Sequence, residues 1–175
     1  RFDGEEPMSG LFRYELEMLS IRDDIEAEEI IGQAVNFWVL HPDNEPRYFH
    51  GFVSQFRYIG HDDRLSRYRA EVVPWTWFLS LNSDCRIFQK MTIPDIIRKV
   101  LKDRGYTDFE DSQVRASYQP LEYCVQYNES DFAFISRLME EAGIFYFFRH
   151  EKDRLLMVMA DNTSACTDCK DSVVD

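Results

Sequence analysis

Glycine is scarce in these 175 residues: there are seven, all scattered, so no glycine-rich loop is available to cradle a phosphate. Long apolar runs are also missing. Nothing approaches the roughly 18 residues of a membrane-spanning helix, and no basic-then-apolar leader opens the chain. The expectation is a protein without stable membrane insertion that leaves its cell, if it does, without a classical signal peptide. Basic residues are outnumbered, 20 Lys and Arg against 32 Asp and Glu, for a net charge of −12. Nucleic-acid binding relies on basic groups that displace condensed counterions, so this balance excludes nucleic acid as a partner. It disfavours anionic lipid headgroups on the same ground. Cysteines number four: Cys85, Cys124, Cys166 and Cys169. Only Cys166 and Cys169 form a C-x-x-C, and no second pair or nearby His completes a four-ligand zinc site. The reading is reduced thiols, with zinc or redox chemistry at that pair as the alternative.

What the chain has in quantity is rings. Aromatics make up 15% of it, 14 Phe and 9 Tyr among them, too many for a disordered segment. A domain of this size buries roughly 70% of the surface its unfolded chain exposes, enough for a sizeable core. Phe12, Tyr14, Leu16 and Met18 alternate with Arg13, Glu15 and Glu17, the period of a half-buried strand. Asp23 to Ile31 is an acidic connection with room for one helical turn. Val35, Phe37 and Val39 alternate again before the turn cluster His41-Pro42-Asp43-Asn44. Tyr48–Ile59 and Leu65–Val73 read as two further strands joined through the loop Gly60-His61-Asp62-Asp63. Residues 1–80 thus predict a small antiparallel β-barrel, a closed sheet being the way to remove exposed edges.

The pattern changes after Pro74. Ile93, Ile96, Ile97, Val100 and Leu101 lie on one helical face, with Thr92 as N-cap, Asp95 completing a capping box and Gly105 ending the helix. A second helix starts at Asn128 or Ser130, with Phe132, Ile135, Leu138 and Met139 inward and Gly143 as a left-handed C-cap. Tyr123, Val125 and Tyr127 alternate as a strand between the helices. A hairpin follows, Ile144–Arg149 and Leu155–Ala160 around a turn at 150–153. Residues 81–162 therefore predict an α+β subdomain (helix, strand, helix, hairpin), and 163–175 a polar connection. The fold class is α+β. Starting at Arg1 and closing on a polar run, the chain reads as a piece of a longer protein.

Catalytic chemistry is hard to find. None of His41, His50, His61 and His150 has the spacing that aims two imidazoles at one metal. His61-Asp62-Asp63 offers two carboxylates and an imidazole, the basis of an alternative reading as a metal-dependent hydrolase, but neighbours in one loop seldom converge without distant partners. No Ser or Cys sits in a nucleophile motif, and Glu140-Glu141, Asp23-Asp24 and Asp62-Asp63 lack surroundings that would split their pKa values. Pro74-Trp75-Thr76-Trp77-Phe78 could stack bases or sugars, yet without a basic groove it reads as a packed seam. No catalytic, cofactor-binding or metal residue is assigned, and the expectation is a protein that is not an enzyme.

Several segments, taken in order, resemble a known family. Arg47-Tyr48-Phe49-His50-Gly51-Phe52-Val53 precedes Val73-Pro74-Trp75-Thr76-Trp77-Phe78-Leu79. Asp84-Cys85-Arg86-Ile87-Phe88-Gln89 and Thr92-Ile93-Pro94-Asp95-Ile96-Ile97 come next. Then follow Glu122-Tyr123-Cys124-Val125-Gln126-Tyr127-Asn128-Glu129-Ser130-Asp131 and the stretch from Arg137 to Phe148. Their order and spacing resemble the N-terminal part of the VgrG family, the spike proteins of type VI secretion systems, related to the tail hubs of contractile phages. The resemblance covers about residues 9–162. It implies a hub fragment of a homotrimeric spike that joins a tube of stacked hexamers to a puncturing needle, with baseplate proteins and effectors or adaptors as partners. It also implies assembly in the bacterial cytoplasm and secretion by the type VI machinery. The hub of a contractile prophage tail is the alternative with the same fold. The initial strand of the family pattern is cut short at Arg1, which bears on closure of the barrel.

Overall fold

A computed structural model describes residues 1–40, 46–62 and 64–166. The order of elements is β1 (Phe2–Glu5), β2 (Arg13–Ser20), α1 (Ala27–Ile30), β3 (Ala34–Leu40), β4 (Pro46–Asp62), β5 (Leu65–Val73), a 3-10 turn (Trp75–Ser80), β6 (Asp84–Met91) and α2 (Ile93–Asp103). Then come β7 (Phe109–Gln113), β8 (Leu121–Glu129), α3 (Asp131–Ala142), β9 (Phe145–His150) and β10 (Leu155–Ala160).

The first five strands form an antiparallel sheet in the order β1-β2-β5-β4-β3. In a flat sheet its edge strands would stand roughly 19 Å apart, four interstrand spacings. Instead Phe2 of β1 and Phe37 of β3 bring their rings to 5.2 Å. The sheet is therefore curled into a half-barrel whose edges meet through side chains, with no β1–β3 hydrogen-bonded ladder among the described residues. Register shifts at Val53/Gln55 and Tyr58/Gly60 of β4 supply the bending. Alternation leading into and along β2 buries Phe12, Tyr14 and Leu16, as the sequence predicts. Strand β4 runs on past the expected turn, with His61 opposite Ser66 and Asp62 opposite Leu65. Those residues are strand and not loop, because the bulge at Gly60, at φ +124°, absorbs the irregularity that glycine signals in the sequence.

Gly51 is needed for another reason. A Cβ there would sit 2.5 Å from Val72 Cγ1 and 2.9 Å from the Val73 carbonyl oxygen, so β4 approaches β5 too closely for any side chain.

In the second half, α2 and α3 pack on a three-stranded sheet, β7-β10-β9, in which β10 runs parallel to β7 and antiparallel to β9. All six residues of β10 are buried, which explains the continuous apolar run Leu155–Ala160 in place of alternation. Helix α2 buries Ile93, Ile96, Ile97, Val100 and Leu101. Thr92 Oγ1 accepts the Asp95 N–H at 3.3 Å and donates to the Asp95 carboxylate at 2.7 Å, a variant of the expected box. Gly143 takes the left-handed C-cap, φ +68°. Strands β6 and β8 form a separate antiparallel ribbon.

The halves share one apolar cluster that includes Phe12, Phe49 and Val72 together with Leu138, Tyr146 and Met157. Trp75, just after β5, packs into the second half: its indole stacks on Tyr106 at 4.6 Å and donates from Nε1 to the Leu155 carbonyl at 3.2 Å. The Trp75–Phe78 cluster is thus turned inward at Trp75. Among the described residues no helix is long and apolar enough to cross a membrane.

Candidate functional site

The ribbon β6–β8 keeps the alternation the sequence predicts and orients it in a way that matters for function. Tyr123, Val125 and Tyr127 do alternate, but they point outward, and Cys124 and Gln126 point in. Across the ribbon Ile87 pairs with Val125, Cys85 with Tyr127 and Gln89 with Tyr123. The outer face therefore carries six uncharged side chains, with Ile87 69%, Tyr123 67% and Tyr127 78% exposed. Contiguous apolar patches on a surface mark interaction sites far more often than scattered single residues do.

A buried carboxylate determines which face turns out. Asp131, the first residue of α3, is fully buried. One oxygen accepts from the Arg86 guanidinium and from Gln126 Nε2 at 2.9 Å; the other accepts from Asn82 Nδ2 at 2.6 Å and Arg104 Nε at 2.5 Å. Arg86 Nε also donates to Gln126 Oε1 at 2.9 Å, and Arg104 to Asp84 at 3.0 Å. One carboxylate thereby ties the 3-10 turn's exit, β6, the end of α2, β8 and α3 together. Burial pushes the Asp131 carboxyl upward, but hydrogen bonds from Asn82, Gln126 and Arg104 and the charge of Arg86 outweigh it and hold it below the usual carboxylate range. Its place at a helix N-terminus, where the macrodipole favours negative charge, acts in the same direction.

A bulge delivers Asp131 to this position. Asp84 pairs with Glu129 and Cys85 with Tyr127, leaving Asn128 as the extra residue in the left-handed region at φ +48°, its N–H donating to Cys85 Sγ at 3.3 Å. Asn tolerates that conformation better than most residues. Ser130 then caps α3 by accepting the Ala133 N–H at 3.1 Å. The inward face of α3 is Asp131, Phe134, Ile135, Leu138 and Met139, so Phe134 takes the place the periodicity gave to Phe132, which is only partly buried. Sequence reasoning missed Asp131; its one local signal was an acidic residue directly after a helix cap, and its partners Asn82, Arg86 and Arg104 lie 27 to 49 positions away.

The other sequence candidates lie apart. His61 and Asp62 are in β4, His61 Nδ1 lying 3.3 Å from the Tyr58 hydroxyl, and Asp63 is outside the described residues. Glu140 and Glu141 are exposed at the end of α3. Cys85 and Cys166 are exposed and Cys124 is buried, all free thiols, and Cys169 and the 41–44 turn cluster lie outside the described residues. Among the described residues no three His, Cys, Asp or Glu side chains gather around one point. The half-barrel holds an apolar cavity of about 310 Å³, lined by Leu16, Met18, Val35, Phe56 and Tyr68 among others.

These features have counterparts in known proteins. Residues 5–174 match the phage tail baseplate hub (GPD) family. The chain is 41% identical over 161 residues to the type VI secretion system spike protein VgrG1a of Pseudomonas aeruginosa, an alignment covering 92% of this chain and 25% of that protein. VgrG1c of the same organism is 42% identical over 161 residues, covering 92% and 22%. The chain thus spans about a quarter of the length of these relatives. Among solved structures, the E. coli c3393 protein, a type VI secretion component with structural similarity to the T4 tail proteins gp27 and gp5, superposes with a TM-score of 0.87 at 27% identity. That match covers 95% of this chain and 46% of the other. A 43 kDa tail protein of prophage MuSo2 from Shewanella oneidensis shares the fold, with a TM-score of 0.61 and 16% identity, covering 91% and 48%. The half-barrel, the helix-backed ribbon and these matches agree: the chain belongs to the phage tail baseplate hub (GPD) family.

Proposed function

We propose that this chain is the hub portion of a type VI secretion spike, a mechanical joint between a tube and a needle and not a catalyst. The observation that carries this reading is 41% identity to a named spike protein across 92% of the chain. Likeness to the prophage tail protein, at 16% identity, extends to the fold alone, so the spike reading is preferred to the prophage hub. In this reading the working protein is a homotrimer that contacts tube hexamers, baseplate proteins and effectors or adaptors, is assembled in the cytoplasm and is carried out by the secretion machinery. The half-barrel of residues 1–80 and the α+β unit of 81–162 are its two subdomains, coupled through their shared apolar cluster.

The geometry supports a role in which rigid elements present surfaces. At a net charge of −12, copies of this chain repel one another except where charge is missing. The uncharged outer face of β6–β8 is the surface suited to a second copy, since interface centres are depleted of charge and enriched in aromatics. The test is a chimera in which this chain replaces the matching 161 residues of P. aeruginosa VgrG1a. Light scattering should give three copies, and electron microscopy should place the half-barrel at the spike's base. A folded chimera whose hub portions hang apart as monomers would contradict the reading.

A further inference from the structure

The tip of the β9–β10 hairpin meets the half-barrel at a histidine that neither the family match nor the ribbon explains. Strand β5 pairs with β4 only from Phe52 onward, its last partner being Val73, after which the chain turns away at Pro74. The backbone N–H of His50 is thereby left without a ladder partner on that side. His150, the last residue of β9, fills the gap: its Nδ1 accepts the His50 N–H at 3.0 Å. The His150 side chain is only 8% exposed, and the rings of Phe12, Tyr14 and Phe49 surround it at 5.2–5.9 Å.

Acceptance at Nδ1 determines the tautomer. The single proton of the neutral ring is on Nε2, where it faces Tyr14 Oη at 3.2 Å and Glu6 Oε1 at 3.4 Å. Tyr14 in turn donates to Glu6 Oε2 at 2.7 Å. The relay therefore runs from the His50 amide through the His150 ring and the Tyr14 hydroxyl to Glu6, joining β4, β9, β2 and the segment after β1. The turn after β9 is tied to β3 as well, through Asn36 Nδ2 and the Lys152 carbonyl.

We propose that His150 is an acid-sensitive pin between the hairpin and the half-barrel. A second proton can enter the ring only at Nδ1, the atom that accepts the His50 amide. Once it is there, two N–H groups face each other and the hydrogen bond to β4 is lost, while Glu6 retains the imidazolium on the side of the N-terminal segment. The ring is then drawn toward Glu6 and away from β4, loosening the hairpin from the sheet.

The charges around the ring are mixed. Glu6, Arg47 and Arg149 line the same cleft as the ring. Tyr14 is held as a neutral phenol by burial and by the Glu6 carboxylate. The neighbouring His50 imidazole is held below the usual histidine range chiefly by burial, with Asp108 and Asp153 acting the other way. Its own Nδ1 is buried without a partner. His150 is thus the ring whose proton uptake breaks a contact between the two halves.

The test is an NMR titration of the 175-residue chain from pH 8 to pH 5, following the His150 imidazole and amide-exchange protection in the same samples. Protection of the His50 amide should fall by about tenfold or more as the His150 ring takes its second proton. Amides of Ile96 and Ile97 in α2 should hold their protection. His150→Asn places a non-titrating oxygen near the position of Nδ1 and should make the His50 protection independent of pH. A His50 amide that stays protected while His150 protonates, or a His150 that stays neutral down to pH 5, would overturn the proposal. So would a pH dependence that persists in a folded His150→Asn variant, and if that variant does not fold the wild-type titration decides.

Discussion

Replacing Asp131 by alanine probes the node that orients the ribbon. The substitution removes a carboxylate that accepts from Asn82, Arg86, Arg104 and Gln126 and leaves those donors in place. Breaking a buried charge network by deleting one partner costs about 3–5 kcal/mol, because the remaining charge is uncompensated. The consequences differ among the four donors. Arg104, at 36% side-chain exposure, can turn to water, and Arg86, at 20%, does so less readily. Gln126 is fully buried and loses one of its acceptors outright. With Arg104 able to resolvate, the expected loss is at the lower end, about 3 kcal/mol. That is a large share of the roughly 5–15 kcal/mol by which domains are stable. For a chain of this length it lowers Tm by roughly 6–12 °C. Urea unfolding monitored by tryptophan fluorescence and far-UV circular dichroism measures it directly. The expected result is a lower midpoint with an unchanged slope. A loss under about 1 kcal/mol would refute the reasoning, since an exposed ion pair is worth that much or less.

The remaining predictions concern acid, packing, capping and the outer face. Asp131 has a folded pKa below its unfolded value, so its contribution is complete above the unfolded carboxylate value of about 3.9 and disappears as pH falls through the folded one. The stability gap between the wild type and Asp131→Asn should therefore close below about pH 4, as urea midpoints at a series of pH values would show. Gly51→Ala should cost about 1–3 kcal/mol by calorimetry, because its methyl overlaps Val72 Cγ1 and the Val73 carbonyl. Thr92→Ala should cost about 1 kcal/mol in urea unfolding through loss of the α2 cap. Ile87→Ser with Tyr127→Ser should change stability by no more than about 0.5 kcal/mol each, both being outward-facing, while weakening trimer formation of the VgrG1a chimera in light scattering.

Periodicity made most of the fold legible. The face of α2 came directly from the spacing of Ile93, Ile96, Ile97, Val100 and Leu101, and the ends of α3 came from Ser130 and Gly143, whose conformations are dictated locally. Strand β1, with two acidic residues and a glycine in four positions, has no apolar alternation of its own and exists because β2 offers it an edge. Strand β7, Phe-Glu-Asp-Ser-Gln, likewise owes its form to parallel pairing with β10. The alternation of Tyr123, Val125 and Tyr127 marks the strand but leaves open which face of the ribbon turns inward. What decides it is a polar requirement from afar: Gln126 must face Asp131, Arg86 and the Glu129 carbonyl. No local window contains that network, which spans residues 82 to 131. The role of His150 was hidden for the same reason, since its partners Glu6, Tyr14 and His50 are at least 100 positions away.

The central claim is that this chain works as the hub of a spike, and the most direct measurement of it is delivery. A strain lacking its own hub function would carry the VgrG1a chimera, and release of the tube protein into the medium would be quantified. The account predicts release comparable to that given by intact VgrG1a, and reduced release when Asp131→Ala is added. A chimera that folds and forms trimers but releases no tube protein would contradict it.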